Sequence, residues 1–449
     1  MRSFIIIIYA TLIVGTVAFA QNRLHSMYGF RGSADGAILL PSTLDLKKNQ
    51  VQLSGSGQFW LGNTFVSNKG LYQFFDKSSE IVRPDFDRAL DRMRDKNTFG
   101  LGLEGHTAIS FQVPIRDHRF TFSIGVGERF GMNWGFSKNM LSLFWNGNKQ
   151  WAGEKVELTP FAVNAAWYRE FVTGAATEVY RSGDFYVRAG TRLKFIQSLA
   201  ALHMPVAKVE LTTAADGQYL LFDYDYDIRY ALGSGSNPAF SPSGGGFGID
   251  LGLTVGLPNR ITVDAALNDL GSMHFKNNAN VMRKTSSFLY EGFDFNKLVG
   301  VSSTIYLDSL YKSLGFDAPQ EGSFKMLLGS RLVLQGMYEL SETDALKDKG
   351  RVFVTYVQGF REMPFSTRRA YLGTGYSVRL LKWLEIGTNA GFGGFNRVAI
   401  GLMTGMRIGK SLQLAFSSEN VLGMPIPGAA SGVDFGGNLV WNFGRYKHE

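Results

Sequence analysis

Apolar and polar residues alternate with a period of two over long stretches of this chain, which indicates β-strands with one apolar face. In the run 51–61, valine, leucine and phenylalanine share one face, while glutamine and serine share the other. Further runs of this kind cover residues 98–113, 120–129, 185–195 and 433–443. The pattern predicts a large all-β protein.

The length of these runs separates two kinds of β-protein. Strands of soluble sandwiches are usually five or six residues long, whereas outer-membrane barrels use segments near ten residues that turn their apolar face to lipid. The run 51–61 is eleven residues long, and the polar faces carry Gly, Ser, Arg and Glu. We therefore expect a transmembrane antiparallel outer-membrane β-barrel, with Phe122, Leu193 and Leu439 facing lipid and Ser123, Arg192 and Asn438 facing the lumen.

The connections between runs support the same architecture, because such barrels pair short periplasmic turns with long external loops. Short links lie at 114–117, 215–217, 257–260, 381–382 and 409–410, and long links lie at 63–96, 131–154, 232–245 and 418–431. They divide the chain into about fourteen to sixteen strands, and an even number places both termini in the periplasm. An open sheet edge in hydrocarbon costs several kcal/mol per backbone group, so the run 433–443 should pair antiparallel with 51–61.

Two segments show helical rather than strand spacing. Residues 84–96 place Phe86, Ala89, Leu90 and Met93 on one face, after Pro84 at the start. Residues 304–314 form a second apolar stripe that ends before Gly315. We expect both to be short helices in loops.

The N-terminus carries the features of a secretory signal. Residues 1–3 are basic, residues 4–17 are apolar, and Ala18-Phe19-Ala20 matches a cleavage site, so residues 1–20 are expected to be a cleaved signal peptide. Residues 21–49 then form either a plug in the lumen or a periplasmic tail, and the apolar run 37–40 favours insertion. The barrel is expected at 50–443 and a free tail at 444–449. These features predict the outer membrane of a Gram-negative bacterium.

Several short motifs resemble a family of Bacteroidota outer-membrane proteins catalogued as a domain of unknown function. They are Leu40-Pro41-Ser42, Leu267-Asn268-Asp269-Leu270-Gly271, Tyr290-Glu291-Gly292-Phe293-Asp294 and Gly336-Met337-Tyr338. The chain is more distantly similar to the long-chain fatty acid transporter (FadL-like) superfamily of fourteen-stranded barrels with N-terminal plugs. That similarity implies a channel for apolar ligands, and it transfers no binding residue to this sequence.

Composition narrows the chemistry. The chain has no Cys, which excludes disulfides, thiolate metal sites and an N-terminal lipid anchor. Its formal net charge of +8 comes from scattered Lys and Arg, so we expect outer-membrane lipid rather than nucleic acid as the partner of that charge. Mean hydropathy is −0.04 and no later stretch has eighteen apolar residues, so no transmembrane helix is expected after the signal.

No motif predicts catalysis, a cofactor or a metal. Residues 100–105 match G-x-G-x-x-G, but strand alternation continues through them, so these glycines are expected to pack inside a barrel strand. None of the six His shows metal-ligand spacing. His106 and Glu104 share a strand face about 7 Å apart, too far for a direct hydrogen bond. We expect no enzyme.

Two charged stripes are candidates for the lumen lining. The basic stripe contains Arg188, Arg192 and Lys194, and the acidic stripe contains Asp223, Asp225 and Asp227, with Arg229 at its end. They could neutralise each other, line an ion path, pair with the plug or simply solvate the lumen. Two functions remain open: a channel or binding protein for small, apolar molecules, or an accessory barrel subunit of a secretion or surface-assembly complex that contacts other envelope proteins.

Overall fold

The computed structural model describes residues 36–46, 50–70, 87, 90–115, 118–233, 241–291, 319–340, 350–395, 398–409, 411–421 and 431–443. These residues form an all-β structure with one α-helix longer than a turn, α1 (Lys138–Asn146), and several short helical turns. No described helix is long and apolar enough to cross a membrane. The predicted helix at 84–96 is helical at residues 87 and 90–92, and the one predicted at 304–314 lies outside the described residues.

The described strands number nineteen, and they follow one another along the chain. They are β1 (Val51–Asn63), β2 (Lys96–Ile115), β3 (His118–Ser137), β4 (Lys155–Glu157), β5 (Phe161–Ser182), β6 (Phe185–Thr213), β7 (Leu220–Leu232), β8 (Gly244–Leu257), β9 (Ile261–Phe275), β10 (Ala279–Tyr290), β11 (Gln320–Glu321), β12 (Phe324–Leu327), β13 (Arg331–Glu339), β14 (Arg351–Gly359), β15 (Tyr371–Leu381), β16 (Leu384–Gly393), β17 (Val398–Ile408), β18 (Leu412–Ser418) and β19 (Gly432–Phe443). Sixteen of them are seven residues or longer.

The strands pair antiparallel into one closed barrel. Closure joins β19 to β1, with Val51 opposite Phe443 and Leu61 opposite Val433. This confirms the predicted pairing of the first and last runs in the expected orientation. Val51, which begins β1, and Phe443, which ends β19, lie at the periplasmic end of the barrel, because the first strand of an even-stranded barrel begins there and the last strand ends there.

Some strands are successive pieces of one longer wall strand. β7 pairs with residues 200–213 of β6 and β8 pairs with residues 186–198, so β7 and β8 form two halves of a single wall strand. β9 and β10 continue each other in the same way, as do β4 with β5 and β11 with β12 and β13. The sixteen longer strands therefore occupy fourteen positions around the wall.

This arrangement corrects two predicted links. The link 232–245 is not an external loop between neighbouring strands, because it interrupts one wall strand between β7 and β8. The short link 215–217 joins β6 to β7 at the extracellular end, opposite the other short links. Alternation marks a strand and its faces, but it does not mark where a neighbouring strand breaks.

The wall is inverted relative to a soluble protein. Ile124, Phe195 and Leu402 are 58%, 60% and 51% exposed on the outer face, whereas Ser54 and Ser110 are fully buried on the inner face. The predicted faces hold at the tested pair, since Leu193 is 38% exposed and the adjacent Arg192 only 6%. Apolar side chains outside and polar ones inside are the surface of a transmembrane barrel.

The wall is much taller on one side. β2, β3, β5 and β6 have 20, 20, 22 and 29 residues, whereas β13 to β19 have 7 to 12. A tilted strand needs about 9–11 residues to cross a bilayer. The long strands therefore rise beyond the membrane at the extracellular end.

Candidate functional site in the lumen

The described part of the N-terminal segment, residues 36–46, lies against the inner wall. Its backbone carbonyls accept hydrogen bonds from wall side chains rather than from a strand neighbour. Arg192 Nη1 donates to the Ile38 carbonyl at 3.1 Å, Asn268 Nδ2 donates to the Leu39 carbonyl at 2.9 Å, and Arg188 Nη2 donates to the Leu44 carbonyl at 2.8 Å. Because buried carbonyls need partners, these donors fix the segment inside the barrel.

Two wall glycines form the seat of this segment. Gly190 on β6 and Gly252 on β8 stand opposite each other in the sheet. A Cβ atom at Gly190 would lie 2.3 Å from the Pro41 carbonyl oxygen, and one at Gly252 would lie 2.8 Å from the Ser42 nitrogen. The backbone of 41–42 therefore approaches the wall where only glycine leaves room.

Above this segment lies a buried cluster of ionisable side chains, which we call the ion cluster. It contains Glu104, His106, Arg129, Glu170, Arg192, Lys194, Asp250, Asp269 and Arg331, none more than 8% exposed. The members come from β2, β3, β5, β6, β8, β9 and β13, which are seven successive wall positions. Four cationic side chains thus meet four carboxylates, with His106 between two of those carboxylates.

Asp269 is the centre of the ion cluster. Its carboxylate lies 2.6 Å from Lys194 Nζ, 2.9 Å from Arg129 Nη1 and 3.8 Å from Arg331 Nη2. Lys194 also contacts Asp250 at 2.8 Å. Glu104, Asp250 and Asp269 each lie within 2.9 Å of a Lys or Arg nitrogen, and Glu170 lies 3.7 Å from Arg129 Nη1. The cost of taking these charges out of water is therefore offset in part within the cluster.

A β-bulge places Asp269 there. The register between β8 and β9 shifts between Ile249 and Leu251, and Asp269 has a φ of 56°. The backbone nitrogen of Asp269 donates to Asp250 Oδ1 at 2.7 Å, which fixes the bulge. Bulges re-aim side chains in this way, and Asp tolerates the left-handed region better than most residues.

His106 is closer to carboxylates than its strand spacing predicts. Its Nε2 lies 3.6 Å from Glu104 and its Nδ1 lies 3.2 Å from Glu170 on β5. The expected separation of about 7 Å is that of residues two apart along a strand, but long side chains can lean towards each other. The two side chains therefore approach more closely than the expected 7 Å, although 3.6 Å is still longer than a direct hydrogen bond.

The six sequence-predicted charges fall in two different places. Arg192 and Lys194 join the ion cluster, and Arg188 pairs with Asp45 of the N-terminal segment at 2.7 Å. The acidic stripe lies on the part of β7 that rises beyond the membrane. There Asp223 contacts Lys155 at 3.1 Å, Asp227 contacts Arg283 at 2.9 Å, and Asp225 accepts a hydrogen bond from Thr285 at 3.0 Å.

Sequence reasoning missed several members of the ion cluster. Arg129 and Glu170 stand on polar faces of alternating strands, so the pattern that gave Arg192 could have found them. Asp269 lies in the motif 267–271, but the motif does not show that a bulge turns it inward. Arg331 opens a short strand, and nothing nearby in the sequence marks it as lumenal.

At the extracellular side, one loop crosses the lumen. Residues 360–370, here called the transverse loop, join β14 to β15, which stand seven of fourteen wall positions from β2 and β3. On the opposite wall, Asn133 Nδ2 donates to Glu362 Oε2 at 3.0 Å and Asn164 Nδ2 donates to the Glu362 carbonyl at 3.1 Å. The Arg129 guanidinium lies 4.2 Å from the Phe365 ring centre.

The transverse loop contributes to a buried apolar cluster inside the barrel, which we call the luminal apolar cluster. Its large members are Trp60, Tyr168, Met273, Phe275, Phe324, Met326, Met363, Phe365 and Phe395. Gly100 and Gly102 make room for Trp60, because a Cβ atom at either would lie 2.5 Å or less from the indole. This confirms the predicted packing inside a barrel strand for Gly100 and Gly102.

Comparison with known proteins identifies the protein family to which this chain belongs. A family of unknown function, DUF5723, matches residues 45–417, which include the ion cluster and the transverse loop. The chain belongs to this family. This confirms the resemblance to an unknown-function family that the motifs indicated. No curated protein matches the chain.

Among solved structures, the chain is similar in fold to a transporter, a hydrocarbon channel and a FadL homologue. The toluene transporter TodX of Pseudomonas putida has 10% identity and a TM-score of 0.41, with 95% of this chain and 94% of that chain covered. A FadL homologue of Pseudomonas aeruginosa has 10% identity and a TM-score of 0.41, with 92% and 95% covered. A TodX deltaS2S3 mutant, a monoaromatic hydrocarbon channel, has 10% identity and a TM-score of 0.47, with 92% and 95% covered.

Proposed function

We propose that this chain is a non-enzymatic outer-membrane passage for small apolar molecules, closed in the conformation described. The luminal apolar cluster is the observation that carries the proposal. Lumens of water-filled porins are polar, whereas here Trp60, Phe275, Phe365 and Phe395 are at most 4% exposed inside the barrel. Apolar concave sites with a few polar groups are what small apolar ligands bind.

The ion cluster argues against an ion-conducting role. Ion-selective pores present rings of like charge to the permeating ion. Here Arg129, Lys194 and Arg331 all contact Asp269, so these cations are engaged by the wall itself. The cluster holds the two sides of the barrel together and supports the apolar cluster above it.

The closed state is attributable to two inserted elements. The N-terminal segment lies on the periplasmic side of the ion cluster, and the transverse loop lies on the extracellular side. Each is held partly by hydrogen bonds from wall side chains to its backbone, and such bonds exchange with water at a net cost of about 1 kcal/mol each. Passage requires both elements to move. We also propose that residues 1–20 are a cleaved signal peptide that directs export to the outer membrane.

Uptake of the fluorescent apolar dye N-phenylnaphthylamine by expressing cells tests the proposal, together with single-channel conductance of the purified protein. We expect dye uptake above that of cells without the protein, and no steady ion conductance. A steady conductance with no dye uptake would contradict the proposal. No uptake, together with recovery of stoichiometric envelope proteins from native membranes, would support the accessory-subunit hypothesis.

A further inference from the structure

Two buried carboxylates lie next to each other at the extracellular ends of β18 and β19. Glu419 directly follows the last residue of β18, and Asp434 is the third residue of β19. The backbone nitrogen of Glu419 donates to Asp434 Oδ1 at 2.5 Å, so the two residues are direct neighbours. Neither is more than 5% exposed. Like charges on neighbouring strands are destabilising, and burial raises the cost of each charge.

The Asp434 carboxylate is held without a cation in the part of the chain that the structure describes. It accepts hydrogen bonds from the backbone of Glu419 and Asn420 and from the Ser418 side chain, and none of these described partners is cationic. Asp269 in the ion cluster differs, because three cations surround it. An ionised carboxylate has about four lone-pair positions, so Asp434 can accept a further ligand.

Asn389 leans into the same place from β16. It stands opposite Gly401 on β17, and a Cβ atom at Gly401 would lie 1.9 Å from Asn389 Oδ1 and 2.7 Å from the Glu419 Cα atom. Glycine therefore opens a space through which the Asn389 amide reaches the side of Glu419. Asn389 is 3% exposed, yet neither its Oδ1 nor its Nδ2 has a hydrogen-bond partner among the described residues. Such a buried amide is unfavourable unless a ligand engages it.

A second amide oxygen lies beside the two carboxylates. Asn420 Nδ2 donates to the Gly432 carbonyl at 2.8 Å, whereas its buried Oδ1 has no hydrogen-bond partner within the described ranges. Two carboxylates and two amides thus meet where β16, β17, β18 and β19 stand side by side. We call this group the oxygen row, and its members are Asn389, Glu419, Asn420 and Asp434.

We propose that the oxygen row binds a calcium ion from the external medium. Ca²⁺ takes about six to eight oxygen ligands from carboxylates, amides and waters in flexible geometry, whereas Mg²⁺ demands near-octahedral geometry and keeps most of its waters. The row supplies oxygens of this kind, and one divalent charge balances its two carboxylates. The ion ties β16 to β19 at the extracellular end of the short wall. This inference is independent of the proposed function.

The affinity of the oxygen row is low because only two of its ligands are charged. No group of three His, Cys, Asp or Glu suited to a metal occurs among the described residues. We therefore expect a dissociation constant of about 10⁻⁴–10⁻³ M, the range of extracellular calcium modules.

Isothermal titration calorimetry with calcium chloride tests the proposal, using chelator-treated protein in phosphatidylcholine nanodiscs and empty nanodiscs as the reference. We expect one Ca²⁺ per chain, weaker binding of Mg²⁺, and a thermal unfolding temperature that rises with calcium. Asp434→Asn, which keeps the size of the side chain, should abolish the binding. The matched control is Asp216→Asn, because Asp216 is exposed on the turn between β6 and β7.

Terbium luminescence locates the ion. Trp60 stands directly opposite Asp434, so excitation of its indole should sensitise Tb³⁺ bound in the oxygen row, and calcium should compete. The signal should be lost in Trp60→Phe and kept in Trp383→Phe, because Trp383 is 51% exposed at the opposite end of the barrel. A signal unchanged in Trp60→Phe would place the ion elsewhere and overturn the proposal.

Absence of calcium binding by the wild type at millimolar concentration, or binding that persists in Asp434→Asn, would also overturn it. Should Asp434→Asn not fold, Asn389→Asp gives the answer, because it adds a third carboxylate to the oxygen row. This variant should unfold at a lower temperature than the wild type in chelator and recover in calcium. Equal unfolding temperatures of Asn389→Asp with and without calcium would reject the site. None of these outcomes changes the dye-uptake test, so the proposed function stands or fails separately.

Discussion

Replacing Asp269 by asparagine tests whether the ion cluster stabilises the barrel through charge balance. The substitution keeps the size of the side chain, and asparagine tolerates the φ of 56° as well as aspartate does. It removes the negative charge that faces Lys194, Arg129 and Arg331 at 2.6, 2.9 and 3.8 Å. The change in stability therefore reports the charge alone.

The expected loss is large because the cations remain buried. Arg129 and Lys194 are each 2% exposed, so neither can turn to water when its carboxylate partner is neutralised. Breaking a buried ion pair from one side typically costs about 3–5 kcal/mol. We expect Asp269→Asn to lower the free energy of unfolding by ~3 kcal/mol, since the amide oxygen still accepts one hydrogen bond.

Urea unfolding in lipid vesicles, followed by tryptophan fluorescence, measures this loss. Asp216→Asn is the matched control, because Asp216 is exposed on the turn between β6 and β7 and should change stability by less than about 0.5 kcal/mol. Combining Lys194→Met with Asp269→Asn should recover part of the lost stability, because the double variant removes one cation together with one carboxylate. Asp250, which Lys194 contacts in the wild type, still has Arg192 as a cationic partner. A loss of less than about 1 kcal/mol in Asp269→Asn, or no recovery in the double variant, would refute the charge-balance argument.

Four further predictions concern faces, closure, the seat and the transverse loop. Leu439→Arg should destabilise the barrel by about 2–4 kcal/mol in vesicle unfolding because the side chain meets lipid, whereas Asn438→Arg should be tolerated; equal losses would show that the faces are misassigned. Cysteines at Gln52 and Asn442, whose side chains are 2.9 Å apart, should form a disulfide on oxidation, and cysteines at Gln52 and Val440 should not. Gly190→Ala should expel the N-terminal segment, so that a cysteine placed at Ser42 reacts with maleimide. In the control Gly336→Ala the new Cβ has nothing within 4 Å, and the cysteine at Ser42 should stay protected from maleimide. Phe365→Gly should raise dye uptake but lower thermal stability, because loss of a buried ring costs about 3–5 kcal/mol whereas relief of the φ of 65° returns only ~1 kcal/mol; Phe360→Gly, at an exposed position, should leave uptake unchanged.

The faces and the closure of the barrel could be predicted from the sequence. A period of two assigns every residue of a strand to one face, so Leu193 and Arg192 were placed on opposite sides without any tertiary information. The pairing of 51–61 with 433–443 followed because an unpaired edge in lipid is too costly to leave open. Both predictions depend on the local alternation of apolar and polar residues and on the surrounding lipid, in which an unpaired backbone group is costly.

The height of a residue along the wall could not be predicted in this way. Asp223 and Arg192 belong to similar alternating stripes, yet one lies on the extracellular extension and the other deep in the lumen. Alternation repeats identically at every level of a strand. The level is set by how neighbouring strands stagger, and by breaks such as the one between β7 and β8.

The contents of the lumen were decided only by the tertiary structure. Arg129 and Asp269 are 140 residues apart, and they meet because a bulge shifts one residue of register in β9. Phe365 reaches Trp60 because a loop crosses half of the ring. Such contacts depend on closure of the whole sheet, and a single-residue bulge or an inward loop leaves no periodic trace in the sequence that would reveal it beforehand.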